Sequence, residues 1–309
     1  MPREIINMPQ NVKYYLGHFY RKKICKTKKY TIMNYRKIIS IGCILALFAS
    51  CTAQESAQEP IIIKPTATIW KLVYEDEFNG TAYDTKYWSS YQTQSWTSPW
   101  NHYVVPNDAS LAEVKNGNLH LKARWNPTTD LPETGAIQTL NKLSFKYGKL
   151  EVRAKFTSTG PGAWPAIWLM PQNPVYNGWP QGGEIDIMER LNNDAFVHQV
   201  VHQVDGNSNQ ISTDSKPSIN TSDYNTFGII KTPNKIEFYV NNKLISTYEA
   251  TDNKKAKWPF ETDFYLILNF ACADKGQSGK SFWPGKVTST ANFPYEMAVD
   301  YVKIWEEQK

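Results

Sequence analysis

The chain has 309 residues, 41% hydrophobic and 14% aromatic, enough for one large domain with its own core. Its formal charge of +5 is uneven: residues 1–50 hold ten Lys/Arg and one acid, leaving 24 basic and 28 acidic residues after position 50. The basicity belongs to the leader and gives no reason to expect a nucleic-acid partner. Cys25 and Cys43 fall in that leader, so Cys51 and Cys272 make no disulfide framework, and no close Cys/His spacing suits zinc.

Residues 1–32 are basic and aromatic without a clear period, and read as sequence upstream of a true start at Met33. Arg36 and Lys37 then precede an apolar run at 38–49, which ends in Ser50-Cys51. Such a run is too short for an ordinary membrane span and fits a secretion signal. A small residue before Cys resembles a bacterial lipoprotein cleavage box, so 1–51 reads as a leader cut before an acylated Cys51. A plain secretory signal with an incidental Cys is the alternative. The expected location is the bacterial cell envelope, with the lipid as the only membrane contact. Residues 52–68 lack a periodic apolar face and read as a tether, and 69–309 as a single domain.

From Trp70 onward, short alternating runs are divided by Gly, Asn, Asp and Pro. Residues 119–123, 149–156 and 235–240 show period two, and Asn241-Asn242 reads as a hairpin turn into 243–245. No long helical period or internal repeat appears. The expected fold is all-β, an antiparallel β-sandwich. Cys272 reads as a small buried apolar residue. Trp164 and Trp168 flank Pro165 at a spacing that puts both on one strand face, and Trp179-Pro180 precedes the run Gly183-Glu184-Ile185-Asp186-Ile187-Met188-Glu189.

In that run a helix would point Glu184 and Asp186 to nearly opposite sides. A strand puts them on one face and Ile185 and Ile187 on the other. Strict alternation would then align Met188 with the acids, whereas one extra residue absorbed as a β-bulge brings Glu189 back. A solvated strand face can also carry three acids, but the three tryptophans just upstream favour a site. Three close carboxylates cannot all ionise cheaply, and splitting their pKa values yields one nucleophile and one protonated acid, as glycoside hydrolysis requires. Glu184 and Glu189 span up to roughly 16 Å of extended chain, less with a bulge. Side chains leaning together permit the roughly 5–5.5 Å of a retaining pair.

Glu184-Ile185-Asp186-Ile187-Met188-Glu189 is similar to the catalytic signature of glycoside hydrolase family 16 in its bulged, laminarinase-like form. Residues 75–80, 146–153, 163–168, 264–269 and 299–302 match further pieces in order. The resemblance covers roughly Trp70 to Trp305. It implies a concanavalin-A-like jelly roll with a substrate cleft on its concave face. Glu184 would be the nucleophile, Glu189 the acid/base and Asp186 the residue that orients and tunes Glu184. It also implies Trp164, Trp168, Trp179 and Trp283 as cleft residues, and His202 near the acid/base as an orienting or substrate-binding group. His198 is set aside. Glu77, the backbone of Gly117 and Asp300 correspond to a cation site of oxygen ligands, a structural Ca²⁺ that catalysis does not need; a solvated surface explains Glu77 and Asp300 equally well.

The chain departs from the glucanase pattern at 98–104, where Trp100 and Asn101 stand as candidate binding residues without the usual nearby acid, and again at 190–193. Both departures point toward β-galactosyl linkages of host-type O-glycans or poly-N-acetyllactosamine, as cut by related gut-type lipoprotein enzymes. An endo-β-1,3-glucanase is the alternative, and a non-catalytic carbohydrate-binding jelly roll a remoter one. The partner is a glycan, met by a monomer.

Overall fold

Period-two sequence becomes paired strand throughout the domain. The computed structural model describes residues 68–92, 103–250, 257–276 and 283–308, and no element among them is helical. One sheet runs in the order β15 (Lys243–Glu249), β14 (Lys235–Val240), β13 (Asn225–Lys231), β8 (Gly148–Ser158), β17 (Tyr295–Glu307), β5 (Asn118–Asn126), β6 (Leu131–Thr134), β3 (Tyr103–Val104). β1 (Trp70–Asp76) joins β17, and β4 (Ala112–Lys115) joins β5. The second sheet is β12 (Gln210–Ser215), β11 (His198–Val204), β10 (Glu184–Glu189), β9 (Ala163–Pro171), β16 (Phe264–Cys272), β7 (Ala136–Gln138), β2 (Ser89–Ser90). All pairings are antiparallel except β3 with β6. Asn241 and Asn242 have φ of 50° and 61°, the paired positive values of a tight hairpin turn, which Asn tolerates better than most residues.

The sheets meet over one core. Leu119, Leu121, Leu150, Val152, Phe227, Val299 and Val302 face Ile167, Leu169, Ile185, Ile187, Val201, Leu268 and Phe270, all fully buried. Cys272 joins them as an unbridged core residue. Slipping β10 by one residue would expose Ile185 and Ile187, costing ~3–6 kcal/mol for the two side chains. The same slip would drive Glu184 and Asp186 into the core, so register and site are fixed together.

The described residues all lie within one compact unit, Lys64–Lys309. The leader, the tether and Cys51 lie outside the described residues, apart from the tether's last residue.

Candidate active site

β10 carries the expected irregularity. Asp186 pairs with Val200 and Glu189 with His198, so three steps on β10 face two on β11. Against β9, Asp186 pairs with Trp168, then Met188 with Ile167 and Glu189 with Ala166. Ile187 and Met188, consecutive in sequence, are both fully buried in the core. The extra residue is therefore taken up on the core side, and Glu189 returns to the outer face with Glu184 and Asp186. Gly183 sets the strand's entry: its φ is +85°, and a Cβ there would stand 2.8 Å from Pro259 Cγ and 2.9 Å from Phe260 Cε1. Only glycine fits that approach.

The acids differ in surroundings. Burial raises the Glu184 pKa, but nearby His202, the Trp179 indole N–H at 2.8 Å from Oε2, and a hydrogen bond from Asp186 all oppose the rise. Asp186 is 2% exposed, and burial, then the Glu184 charge, push its pKa well above the carboxylate range. Glu189 is pushed well up by burial and by Asp186, against a 2.8 Å hydrogen bond from Trp164 Nε1 to its Oε1. Glu184, the least raised of the three, thus ionises before Asp186 and Glu189. One face then presents a carboxylate and a carboxylic acid on the same strand.

The tryptophans surround this pair. Trp164 and Trp168 lie on the cleft face of β9, and Trp168 Nε1 donates to Asn269 Oδ1 at 2.7 Å. Trp179 is 54% exposed, so its ring face is open to solvent while its N–H holds Glu184. Trp283 packs edge-on against Trp164, with centroids 6.4 Å apart. Trp100 and Asn101 lie outside the described residues.

The two histidines divide between the glutamates. His202 pairs with Glu184 and is near enough to Glu189 to oppose the rise of that pKa, and its Nε2 lies 3.3 Å from Asp186 Oδ2. That contact has ion-pair distance without hydrogen-bond alignment, since Asp186 Oδ2 has no aligned partner. His202 Nδ1 meets Ser212 Oγ at 2.7 Å. His198, which the sequence reading set aside, is the residue opposite Glu189. It is 2% exposed, held by Asp214 at 2.9 Å through Nδ1, and packed 4.4 Å from the Trp283 ring. The spacing of four between the histidines against five between the glutamates is the bulge itself, and that was the readable signal. Tyr91 and Tyr265 were also missed. The Glu184 charge adds to burial in raising both pKa values, Tyr91 to about 12.

Donor atoms of Glu184, Asp186 and His202 lie within 4.8 Å of one another, so a divalent ion could be held there. It would take the carboxylate that the chemistry needs and displace the Asp186 proton. The other candidate cation site gathers by register: Asp76 pairs with Val302 and Leu119 with Val299, which sets Glu77, Gly117 and Asp300 midway along β17, where β1 ends and β5 begins. Glu77 accepts from Asn79 at 3.2 Å and lies 3.8 Å from Lys303, while Asp300 is paired with Arg153.

The chain is 40% identical over 247 residues to a keratan-sulfate endo-1,4-beta-galactosidase of Sphingobacterium multivorum, covering 77% of this chain and 56% of that protein. The chain thus spans little more than half of that relative's length. The laminarinase catalytic domain of Thermotoga maritima superposes with a TM-score of 0.67 at 28% identity, over 78% of this chain and 99% of that one. A structure described among endo-acting O-glycanases of the human gut microbiota that initiate mucin breakdown has a TM-score of 0.67 at 25% identity, over 77% and 91%. The model of glycosyl hydrolases family 16 matches residues 94–302, a span that contains β10 with its bulge, the flanking strands and the tryptophans. The jelly roll, its acid-bearing strand and this match agree, and the chain belongs to glycosyl hydrolases family 16.

Proposed function

We propose that the chain is a retaining, endo-acting β-glycoside hydrolase with Glu184 as nucleophile, Glu189 as acid/base and Asp186 as the group that tunes Glu184. The observation that carries this reading is the bulge, which puts a carboxylate and a protonated carboxylic acid on one face. Glu189 Oε1 accepts from Trp164, so its proton is assigned to Oε2. In the first step the Glu184 carboxylate attacks the anomeric carbon while the Glu189 proton passes to the departing glycosidic oxygen. In the second, Glu189 takes a proton from water, the hydroxide oxygen bonds the anomeric carbon, and the Glu184 ester is released. All three acids come from one chain, so a monomer suffices and no cofactor takes part. A purely carbohydrate-binding jelly roll would have no use for graded acids.

Double displacement retains configuration. Proton NMR of the first-formed reducing ends should show the β anomer, with the α form growing in only by mutarotation. An initial α product would remove the two-step mechanism. Several tryptophans along one open face suit a run of sugar rings, which supports internal cleavage. The likeness to a galactosidase and the departure at 98–104 support β-galactosyl linkages of host-type O-glycans or poly-N-acetyllactosamine, with β-1,3-glucan as the second reading.

Glu77, the Gly117 carbonyl and Asp300 are hard oxygen donors of the kind Ca²⁺ takes. Lys303 and Arg153 already pair with the two carboxylates, so an ion would have to displace them. A structural ion present at 100 times its Kd adds ~2.7 kcal/mol, or ~5–10 °C in a domain of this size. Chelation should lower Tm by that amount and leave kcat unchanged at temperatures where the fold persists; an unchanged Tm removes the ion.

The leader supports export and acylation at Cys51, which would tether the domain to a bacterial envelope. Mass spectrometry of the mature N-terminus tests this, and an unlipidated terminus at another residue would overturn it.

A further inference from the structure

β10 ends at Glu189, and the next side chain, Arg190, leaves on the other side of the strand, toward one end of the sandwich. Arg190 is 4% exposed, with its guanidinium 4.6 Å over the Phe156 ring. Nε donates to the Asp194 carbonyl at 2.8 Å, and a terminal nitrogen donates to Thr159 Oγ1 at 3.3 Å. The Thr159 hydroxyl donates onward to Asn193 Oδ1 at 2.7 Å. A guanidinium has five N–H donors, and Arg190 forms no ion pair with a carboxylate among the described residues. Burial pulls its pKa below the ordinary arginine value, and only the more distant Asp194 charge opposes this. A buried cation without a paired anion is costly.

Arg190 also lines a solvent-open groove of about 590 Å³, walled by Thr157, Ser158, Asn193, Thr221 and Asn292. Hydroxyls and amides dominate those walls, and no carboxylate lines them. We propose that this groove is a binding site for a tetrahedral oxyanion of the sulfate class, seated on Arg190 with hydroxyl and amide donors around it. Three terminal oxygens match donors spread over several walls better than a flat carboxylate does. The volume also admits a sugar ring behind a sulfate ester. None of Glu184, Asp186 and Glu189 lines the groove. The site does not depend on the hydrolase reading.

Free inorganic sulfate and a sulfate ester on a glycan share this chemistry, and the test separates them. Thermal unfolding of the full chain is followed in sodium sulfate against sodium chloride at matched ionic strength, then in galactose 6-sulfate against galactose. Sulfate at ten times half-saturation should raise Tm saturably by ~3–6 °C. Arg190→Gln should lose that saturable part. Asn292→Ala and Thr221→Val, on exposed walls, should raise the half-saturating concentration about tenfold, which keeps the test open if Arg190→Gln does not fold. Sulfate also strengthens burial generally, but that effect rises without saturation and is equal in all variants. Such a rise alone, or acetate matching sulfate, overturns the proposal. A response to galactose 6-sulfate assigns the site to glycan esters; a response to inorganic sulfate alone assigns it to the free anion.

Discussion

Glu189→Gln should lower kcat on a natural glycan by ~10²–10⁴, the range for removing a general acid, and Glu184→Gln by more, because no covalent route remains. The two losses separate on an aryl glycoside with a good leaving group. There the departing oxygen needs little protonation, so Glu189→Gln keeps a fast first step and accumulates glycosyl-enzyme. Glu184→Gln stays inactive on both substrates. The pH profile carries the same assignment. Wild-type kcat/KM should fall toward low pH as Glu184 takes up a proton, and toward high pH as Glu189 loses one through its raised pKa. Glu189→Gln should lose the high-pH limb.

Stability should move in the opposite direction. Because the folded pKa of Glu189 is raised, the native state holds a proton that the unfolded chain has released. From the ordinary carboxylate range up to that raised pKa, wild-type stability therefore falls as pH rises. An amide in place of this carboxyl does not titrate, so Glu189→Gln should gain Tm over wild type across that window while losing activity, a stability–function exchange. Unchanged turnover by either glutamine variant, measured from reducing ends, would falsify the assignment of that acid.

The site's centre was legible because it is local. Alternation at 184–187 followed by a slip at Met188 defines a bulge without any knowledge of neighbours, and Trp164 and Trp168 declare a shared face by spacing alone. The same logic placed the hairpin at Asn241-Asn242. What pairing decides was less legible. Which histidine faces which acid follows from the β10–β11 register, and the bulge shifts that register by one between Glu184 and Glu189. Reading β11 without it placed His202 near the acid/base but not opposite Glu184, and set His198 aside. Tyr91 follows β2 and Tyr265 lies on β16, remote in sequence from β10; only assembly of the sheet brings them near Glu184. Arg190 was read only as a departure from a family pattern, because its burial depends on Phe156 from the other sheet.

A digestion panel of laminarin, mixed-linkage glucan, agarose-type galactan and mucin should give rapid release from mucin, with laminarin slower in kcat/KM by about 10³-fold or more. The aromatic face cannot produce that difference, since β-linked glucose and galactose both offer apolar ring faces. The sugars differ at C4, where the hydroxyl is equatorial in glucose and axial in galactose. A polar site built to bond one hydroxyl rejects a substrate that leaves it unpaired by ~10⁴–10⁵. The sequence sets the candidate readers at 98–104 and 274–277. Trp100, Asn101, His102 and Gln277 lie outside the described residues. In the second loop Asp274 is 7% exposed. Lys275 is committed elsewhere, 2.7 Å from Asp130 and 4.6 Å over the Trp125 ring. Discrimination is therefore expected to fall on Asn101, His102 and Asp274 rather than on Lys275, and Lys275→Ala should leave the mucin-to-laminarin ratio unchanged. Product sizing by mass spectrometry at early times should show several oligosaccharide lengths at once, as internal cleavage requires. Rapid release from laminarin with mucin untouched would sink the galactoside reading and leave Glu184 and Glu189 in their roles.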